Sequence, residues 1–263
     1  MPRASSYRVL RCFYRWCSQF ADPLRIAAGL CGIPWYLADW RAYSKLPGAE
    51  HLKLIESYPQ FHDRSDTTPF DRHYFFLSGW AMRRIMANRP SRHADVASLA
   101  LFVNMVSAIL PVAFVEFRPL PARLAGLDSL AANMLALPFL DNSIPSLSCL
   151  HAAEHVGLGR YGDPLDPAGT QKAAKELARV LAPGGHLYFA VPVGKQRVCF
   201  NAHRVHNPQA IIDYFAGLEL REFSAVCDQG DYWEHVSPSD FSNNDNACGL
   251  FWFSKRELEL VPA

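Results

Sequence analysis

Ala178-Arg-Val-Leu-Ala-Pro-Gly-Gly185 is the stretch on which the reading of this chain turns. Upstream of it, Thr170 to Leu181 carries Ala173, Leu177, Val180 and Leu181 on one helical face. Lys172, Lys175 and Glu176 lie on the other. Pro183 cannot continue a helix, and Gly184 and Gly185 permit a tight turn after it. His186-Leu-Tyr-Phe-Ala-Val191 then reads as a strand buried on both faces. A helix feeding through a glycine turn into an apolar strand is a unit of a parallel sheet covered by helices.

Working outward, the same alternation continues. Leu137-Pro-Phe-Leu-Asp-Asn-Ser143 leads into a strand candidate at Pro145 to Leu150. Ala94–Ser98, Val112–Phe117, Leu218–Val226 and Gly249–Phe253 are further strand candidates. Leu99–Ile109 and Pro208–Phe215 read as helices, with a small helical segment near Pro121–Ala125. The pattern predicts an α/β fold over 92–263, a mostly parallel sheet with helices on both faces. Ligands in such sheets sit outside the carboxyl ends of the strands. The loops after Ser98, Phe117, Leu150 and Val191 are therefore the ones to watch.

Ahead of this domain, residues 1–60 read as a helical extension with breaks at Pro23, Pro34 and Pro47–Gly48. Residues 61–91 read as a connecting segment packed on the main domain, with a helix at Phe75–Ala87. Arg3, Arg8, Arg11 and Arg15 alternate with Tyr7, Leu10, Phe13 and Trp16, the pattern of a basic amphipathic helix. Two expectations follow for residues 1–40: peripheral membrane contact, or a helical cap packed on the main domain. The apolar run Ile26–Ala38 is too short to span a bilayer, and Leu99–Val115 is interrupted by Asn104, Ser107 and Pro111.

Half the residues are hydrophobic, which supports a substantial core, and the formal charge of +1 supplies no general attraction to polyanions. Without a nucleic-acid motif, a nucleic-acid substrate is not expected. Seven cysteines with no CxxC pair argue against a disulfide framework or zinc ribbon and for a reducing, cytoplasmic setting.

The segments LPFLDNS (137–143) and RVLAPGG (179–185) resemble the fourth-strand entry and the helix-to-strand turn of class I S-adenosylmethionine (SAM) methyltransferases. A closer resemblance is to a little-characterised family placed in that superfamily and described as a domain of unknown function. Glu154-His-Val-Gly-Leu-Gly-Arg-Tyr-Gly-Asp163, Phe200-Asn-Ala-His-Arg204 and Thr68-Pro-Phe-Asp71 with Tyr74 carry it, over about 58–255. The resemblance implies a Rossmann-like methyltransferase fold and SAM as cofactor.

Carried over residue by residue, it implies a cofactor site at Asp95, Ala97, Glu116, Asn133 and Leu150. Glu116 ends the second strand candidate, where a carboxylate would accept hydrogen bonds from the ribose hydroxyls. The chain departs from the superfamily after the first strand: Ala97, Leu99 and Leu101 stand where glycines are expected. An alanine at positive φ costs about 1 kcal/mol or more.

Past the fourth and fifth strands, Arg160, Tyr161, Asp163, Asn201 and Arg204 are the candidate substrate contacts. Arg160 suits bidentate recognition of a carboxylate or phosphate. His155, His203 and Glu154 are the candidate catalytic groups, since proton removal from an acceptor hydroxyl needs a base available near neutral pH. His151-Ala-Ala-Glu-His155 also spells the inverted zinc-protease signature HxxEH. A strand directly before it and Gly157 and Gly159 directly after it leave no room for the required helix, so no metal site is assigned. The expected function is SAM-dependent O-methylation of a small polar acceptor, a surface-polysaccharide sugar by family association. The alternative is a catalytically inactive methyltransferase-like module that binds a partner or assembles with one.

Overall fold

In the computed structural model, residues 9–10 and 13–257 are described, and the chain divides into two units, Met1–Phe70 and Asp71–Ala263. The first holds α1 (Pro23–Tyr43) and a single helical turn at Leu54–Glu56. Asp22 caps α1 by accepting from the backbone N–H groups of Leu24 and Arg25. The helix runs through Pro34 instead of breaking there. Gly32 lies so close to Phe61 that a Cβ would meet the ring at 2.7 Å, and Trp35 and Tyr36 also pack edge-on against Phe61. That aromatic contact holds the chain beyond Pro47 without further long helix, contrary to the expectation of a helical segment to residue 60. Among the described residues, no helix is long and apolar enough to cross a membrane. The basic face expected at the start rests on Arg3, Arg8 and Arg11, which lie outside the described residues.

The second unit contains α2 (Arg72–Asn88), β1 (His93–Val96), α3 (Ala100–Ser107), β2 (Val112–Glu116), β3 (Leu127–Ala131) and β4 (Ile144–Leu150). There follow α4 (Gly169–Val180), β5 (Leu181–Val193), β6 (Arg197–Cys199), β7 (His203–Val205), α5 (Pro208–Tyr214), β8 (Glu219–Val226), β9 (Tyr232–Trp233) and β10 (Ala247–Ser254). The expected boundaries at 60 and 91 differ from the observed division after Phe70. The reason is α2, whose Leu77, Trp80, Ala81 and Ile85 enter the core of the sheet domain.

The main sheet has the order β3-β2-β1-β4-β5-β10-β8-β9, with β6 and β7 as a separate hairpin. Neighbours from β3 to β5 are parallel, while β10 runs antiparallel to both β5 and β8. The sheet is thus mostly parallel, as the alternation predicted. Successive residues of β5 supply opposite faces. Leu187, Phe189 and Val191 meet Ala173 and Leu177 of α4 and Ile211 of α5. Tyr188 and Ala190 meet Trp80 of α2 and Phe102 and Val106 of α3. The segment 121–125 is not helical; it leads into β3, an edge strand whose single buried residue, Leu127, gives no periodic signal.

The two motifs form one clamp. Arg179 donates to Asp141 at 2.5 Å and to the carbonyls of Phe139 and Leu137 at 3.0 and 3.3 Å. Glu176, paired with Arg179 at 2.6 Å, accepts from the Leu137 N–H at 2.7 Å. Backbone bonds from Asn142 to Arg179 and from Ser143 to Val180, both 2.9 Å, deliver the chain into β4 beside β5.

A second polar junction is buried. Arg84 donates to Glu222 at 2.7 and 3.2 Å, and Glu222 also accepts from Trp80 at 3.0 Å and Ser224 at 2.6 Å. These contacts hold the Glu222 carboxyl below its usual range despite burial. Arg84 also donates to Glu234 at 3.2 Å, which stays as its partner when Glu222 is removed. Glu222→Ala is expected to cost about 1.5–3 kcal/mol in urea unfolding, and the double change Arg84→Met with Glu222→Leu less than the sum of the two single changes. A double change that costs as much as the two single changes together would show that the pair is not coupled.

Candidate functional site

A cleft opens at the carboxyl ends of β1, β2 and β4, as expected for an open α/β sheet. Val96, Ala97, Val115, Glu116 and Phe117 line it from the first two strands, and Asn133 and Met134 from the loop after β3. His151, Ala152, His155 and Val156 line it from the segment after β4, with Tyr161 and Asp163 beyond. Ala97 immediately follows β1 at φ +58°, and its N–H donates to the Val115 carbonyl at 2.9 Å. The backbone therefore keeps the left-handed conformation for which glycine is suited, although a methyl group is present. Glu116 ends β2 half-buried at the cleft wall. Asn133 also faces the cleft, and its Oδ1 accepts from the Leu135 N–H at 2.9 Å, which fixes the turn.

Two expected cofactor contacts lie elsewhere. Leu150 is 1% exposed and packs in the core with Tyr188 and Leu250; its N–H donates to Ser98 Oγ at 2.9 Å. Asp95 is 1% exposed and turned inward, where it accepts from the Ser98 N–H at 3.0 Å and from the Ser148 hydroxyl. His93, fully buried, touches Ser146 and Ser148 through its two ring nitrogens, each at 2.8 Å. Because Ser148 gives its proton to Asp95, it accepts from His93 Nε2, which leaves Nδ1 to accept from Ser146. The acidic residue of β1 thus anchors a buried hydrogen-bond chain that shapes the loop.

Beyond β4 the chain enters a single 3-10 turn at Ala153–His155, not a helix. His151, at φ +54°, and His155 flank Glu154: their nearest ring nitrogens lie 3.4 and 3.6 Å from Glu154 Oε1. Glu154 is 1% exposed, and neither carboxyl oxygen has a hydrogen-bond partner. Burial pushes its carboxyl up to about 8. His155 Nδ1 lies 2.5 Å from the Ala202 carbonyl, which can only accept, so this nitrogen carries the proton and Nε2 keeps its lone pair. Burial lowers the His155 imidazole to about 4, so it is neutral at physiological pH. His203 is near enough to bias both His151 and His155 toward their neutral forms.

The segment after this turn is a fold-over built on glycines. Gly157, Gly159 and Gly162 all have positive φ, and a Cβ on Gly157 would meet the Asp166 carbonyl at 2.2 Å. Asp163 accepts from the N–H groups of Gly157 and Tyr161 at 2.6 and 3.2 Å, so its carboxylate closes the loop. Tyr161 reaches the cleft with the guanidiniums of Arg118 and Arg160 over its ring, at 4.4 and 5.2 Å. Arg118 was not a sequence candidate; its place two residues after Glu116 was the available sign. Arg160 also donates to the Ala202 carbonyl at 3.2 Å, which ties this segment to the β6–β7 turn.

Arg204 and Asn201 do not line the cleft. Arg204 is buried, and donates to the carbonyls of Val156 and Asp166 at 2.5 and 2.9 Å, so it pins the fold-over from behind. Asn201 is exposed at φ +61° in the hairpin turn.

Asp95 makes the pH dependence of the fold testable. Burial, partly offset by bonds from Ser148 and Ser98, raises its carboxyl to about 6. Below pH 4 the group is protonated folded or unfolded; as pH rises through 6 the folded state must ionise a buried acid and loses stability. Relative to Asp95→Asn, the wild type should therefore lose on the order of 2–3 kcal/mol between pH 4 and pH 7. A pH-independent difference in unfolding free energy would contradict this.

Residues 142–230 match the family model described as "Caenorhabditis protein of unknown function, DUF268". No curated protein matches the chain. Among solved structures, the N-methyltransferase NodS from Bradyrhizobium japonicum, in complex with S-adenosyl-L-homocysteine, is similar at 16% identity. That match covers 73% of this chain and 90% of NodS, with a TM-score of 0.50. The cyclase SpnF is similar at 13% identity over 70% of this chain and 82% of its own, with a TM-score of 0.51. At such identities the likeness speaks to architecture alone. This chain carries the Rossmann-like fold of the class I SAM-dependent methyltransferases.

Proposed function

We propose that this protein is a SAM-dependent methyltransferase acting on an oxygen of a small polar acceptor. The observation that carries the reading is the backbone at Ala97. It holds φ +58° and lines the same cleft as Glu116, Asn133 and His155, so the loop does not close over the place where the methionine end of the cofactor would sit. Glu116 would hold the ribose hydroxyls and Asn133 the adenine edge. When bound, SAM supplies a methyl group on a positively charged sulfur. His155 presents a neutral Nε2 to take the acceptor's hydroxyl proton, and Arg160, against the same ring, orients the acceptor. Much of the rate in such a displacement comes from alignment. The fold-over of Gly157–Asp163 would supply it by placing Tyr161 at the cleft. A sugar of a surface polysaccharide is the acceptor class that the family resemblance suggests.

The inward turn of Asp95 favours a second reading. With that carboxylate spent on Ser98 and Ser148, the cleft lacks one anchor for the cofactor's amino group, as in a non-catalytic binding module. Calorimetric titration with SAM and S-adenosylhomocysteine separates the two. Binding is expected in the wild type and should weaken by about 1.5–3 kcal/mol in Glu116→Ala, the usual worth of hydrogen bonds to a charged group. No heat of binding at millimolar ligand would sink the methyltransferase reading.

We also infer a cytoplasmic protein that rests on a membrane surface through residues 1–40. Phe13, Trp16, Phe20 and Leu24 are each more than two-thirds exposed, and the same stretch carries arginines. Deletion of residues 1–40 is expected to abolish co-sedimentation with vesicles containing anionic lipid; unchanged co-sedimentation would dispose of the idea.

A further inference from the structure

The geometry points to a zinc site formed by His73, His151 and Cys248, with Glu154 behind His151 as its orienting carboxylate. Three separate elements bring the ligands together: the first turn of α2, the residue leaving β4, and the second residue of β10. One donor atom from each lies within 4.8 Å of the others, and His151 Nε2 is 3.0 Å from Cys248 Sγ. The His73 and His151 rings meet edge to face with centroids 5.6 Å apart. Tetrahedral zinc holds such donors about 3.5 Å from one another, so His151 and Cys248 would part slightly and His73 would close in by roughly an ångström at most. Two imidazoles and one thiolate form a donor set suited to zinc, and three protein ligands leave a fourth position for water.

Two further observations point to a ligand here. His151 sits at φ +54°, a conformation that disfavours a non-glycine residue and recurs at functional positions. The Glu154 carboxyl, wholly buried, has no hydrogen-bond partner for either oxygen, yet Oε1 is 3.4 Å from His151 Nδ1. A metal on Nε2 would fix the proton on Nδ1 and direct it at Glu154. That is the carboxylate–histidine–metal arrangement that holds a ligand imidazole in place. Coordination requires the Cys248 thiol to release its proton to solvent as the Zn–S bond forms. His151 also lines the cleft, so the ion would lie beside the acceptor region without depending on the cofactor.

The full-length chain, stripped of metal and titrated with cobalt(II), tests the site through the thiolate-to-cobalt charge-transfer absorption. One equivalent should produce the band, and one equivalent of zinc should remove it. Cys248→Ala should abolish the band. Glu154→Gln should weaken cobalt binding by about 10–100-fold. His73→Gln, at the half-exposed ligand and so the variant least able to disturb folding, should weaken it at least as much. His186→Gln, remote from the cluster, should bind as the wild type does. Circular dichroism establishes that each variant is folded, and His73→Gln carries the test alone if Cys248→Ala is not. Absence of the band in the wild type, or equal cobalt affinity in wild type and His73→Gln, overturns the proposal. SAM titration of the metal-free protein is a separate readout, so either assignment can fail without the other.

Discussion

The clamp made by Arg179 is the constraint on which the rest of the sheet domain depends. One guanidinium holds two backbone carbonyls and Asp141 of the segment leading into β4, while Glu176 takes the Leu137 N–H. An exposed ion pair contributes little, but this network satisfies backbone groups that the turn leaves without partners. It also fixes where β4 begins relative to β5. Every residue of the cleft that follows β4, from His151 to Asp163, inherits its position from that register.

The site itself is organised by burial more than by charge. Asp95, His93, Ser146 and Ser148 form a closed set of hydrogen bonds between β1 and β4, and Ser98 extends it to the Leu150 N–H. Their cost of desolvation is offset only if all partners are present, which makes the loop after β1 rigid. Ala97 can then hold a conformation it would not choose alone. The fold-over behind the cleft is rigid by different means: glycines permit it, and Arg204 pins it through two carbonyls.

Much of the architecture was legible because it depends on periodicity and on one proline-glycine turn. The helix over 169–180 and the strand over 186–191 needed nothing more than their apolar spacing. β3 was not legible, since an edge strand with one buried residue has no alternation to read. Pro34 misled for the opposite reason: a proline-containing helix persists when packing holds it, and Gly32 against Phe61 supplies that contact. Of the candidate residues, Glu116, Asn133 and His155 line the cleft, a position that strand ends in the sequence made readable. Leu150, Asp95 and Arg204 were not placed correctly, because residue type does not say to which side of a strand end a side chain turns. Cys248 and His73 carry no local signal at all; only the antiparallel return of β10 and the packing of α2 bring them beside His151.

The order of strands also determines which strands form the borders of the sheet. One margin of the sheet ends in β9, only two residues long, too short to template another strand. The opposite margin is β3, a five-residue strand whose second residue, Asp128, is exposed. A second chain pairing along that margin in parallel and in register would set two Asp128 carboxylates side by side. One border of the sheet is thus brief and the other carries a charge, while the cleft opens at neither.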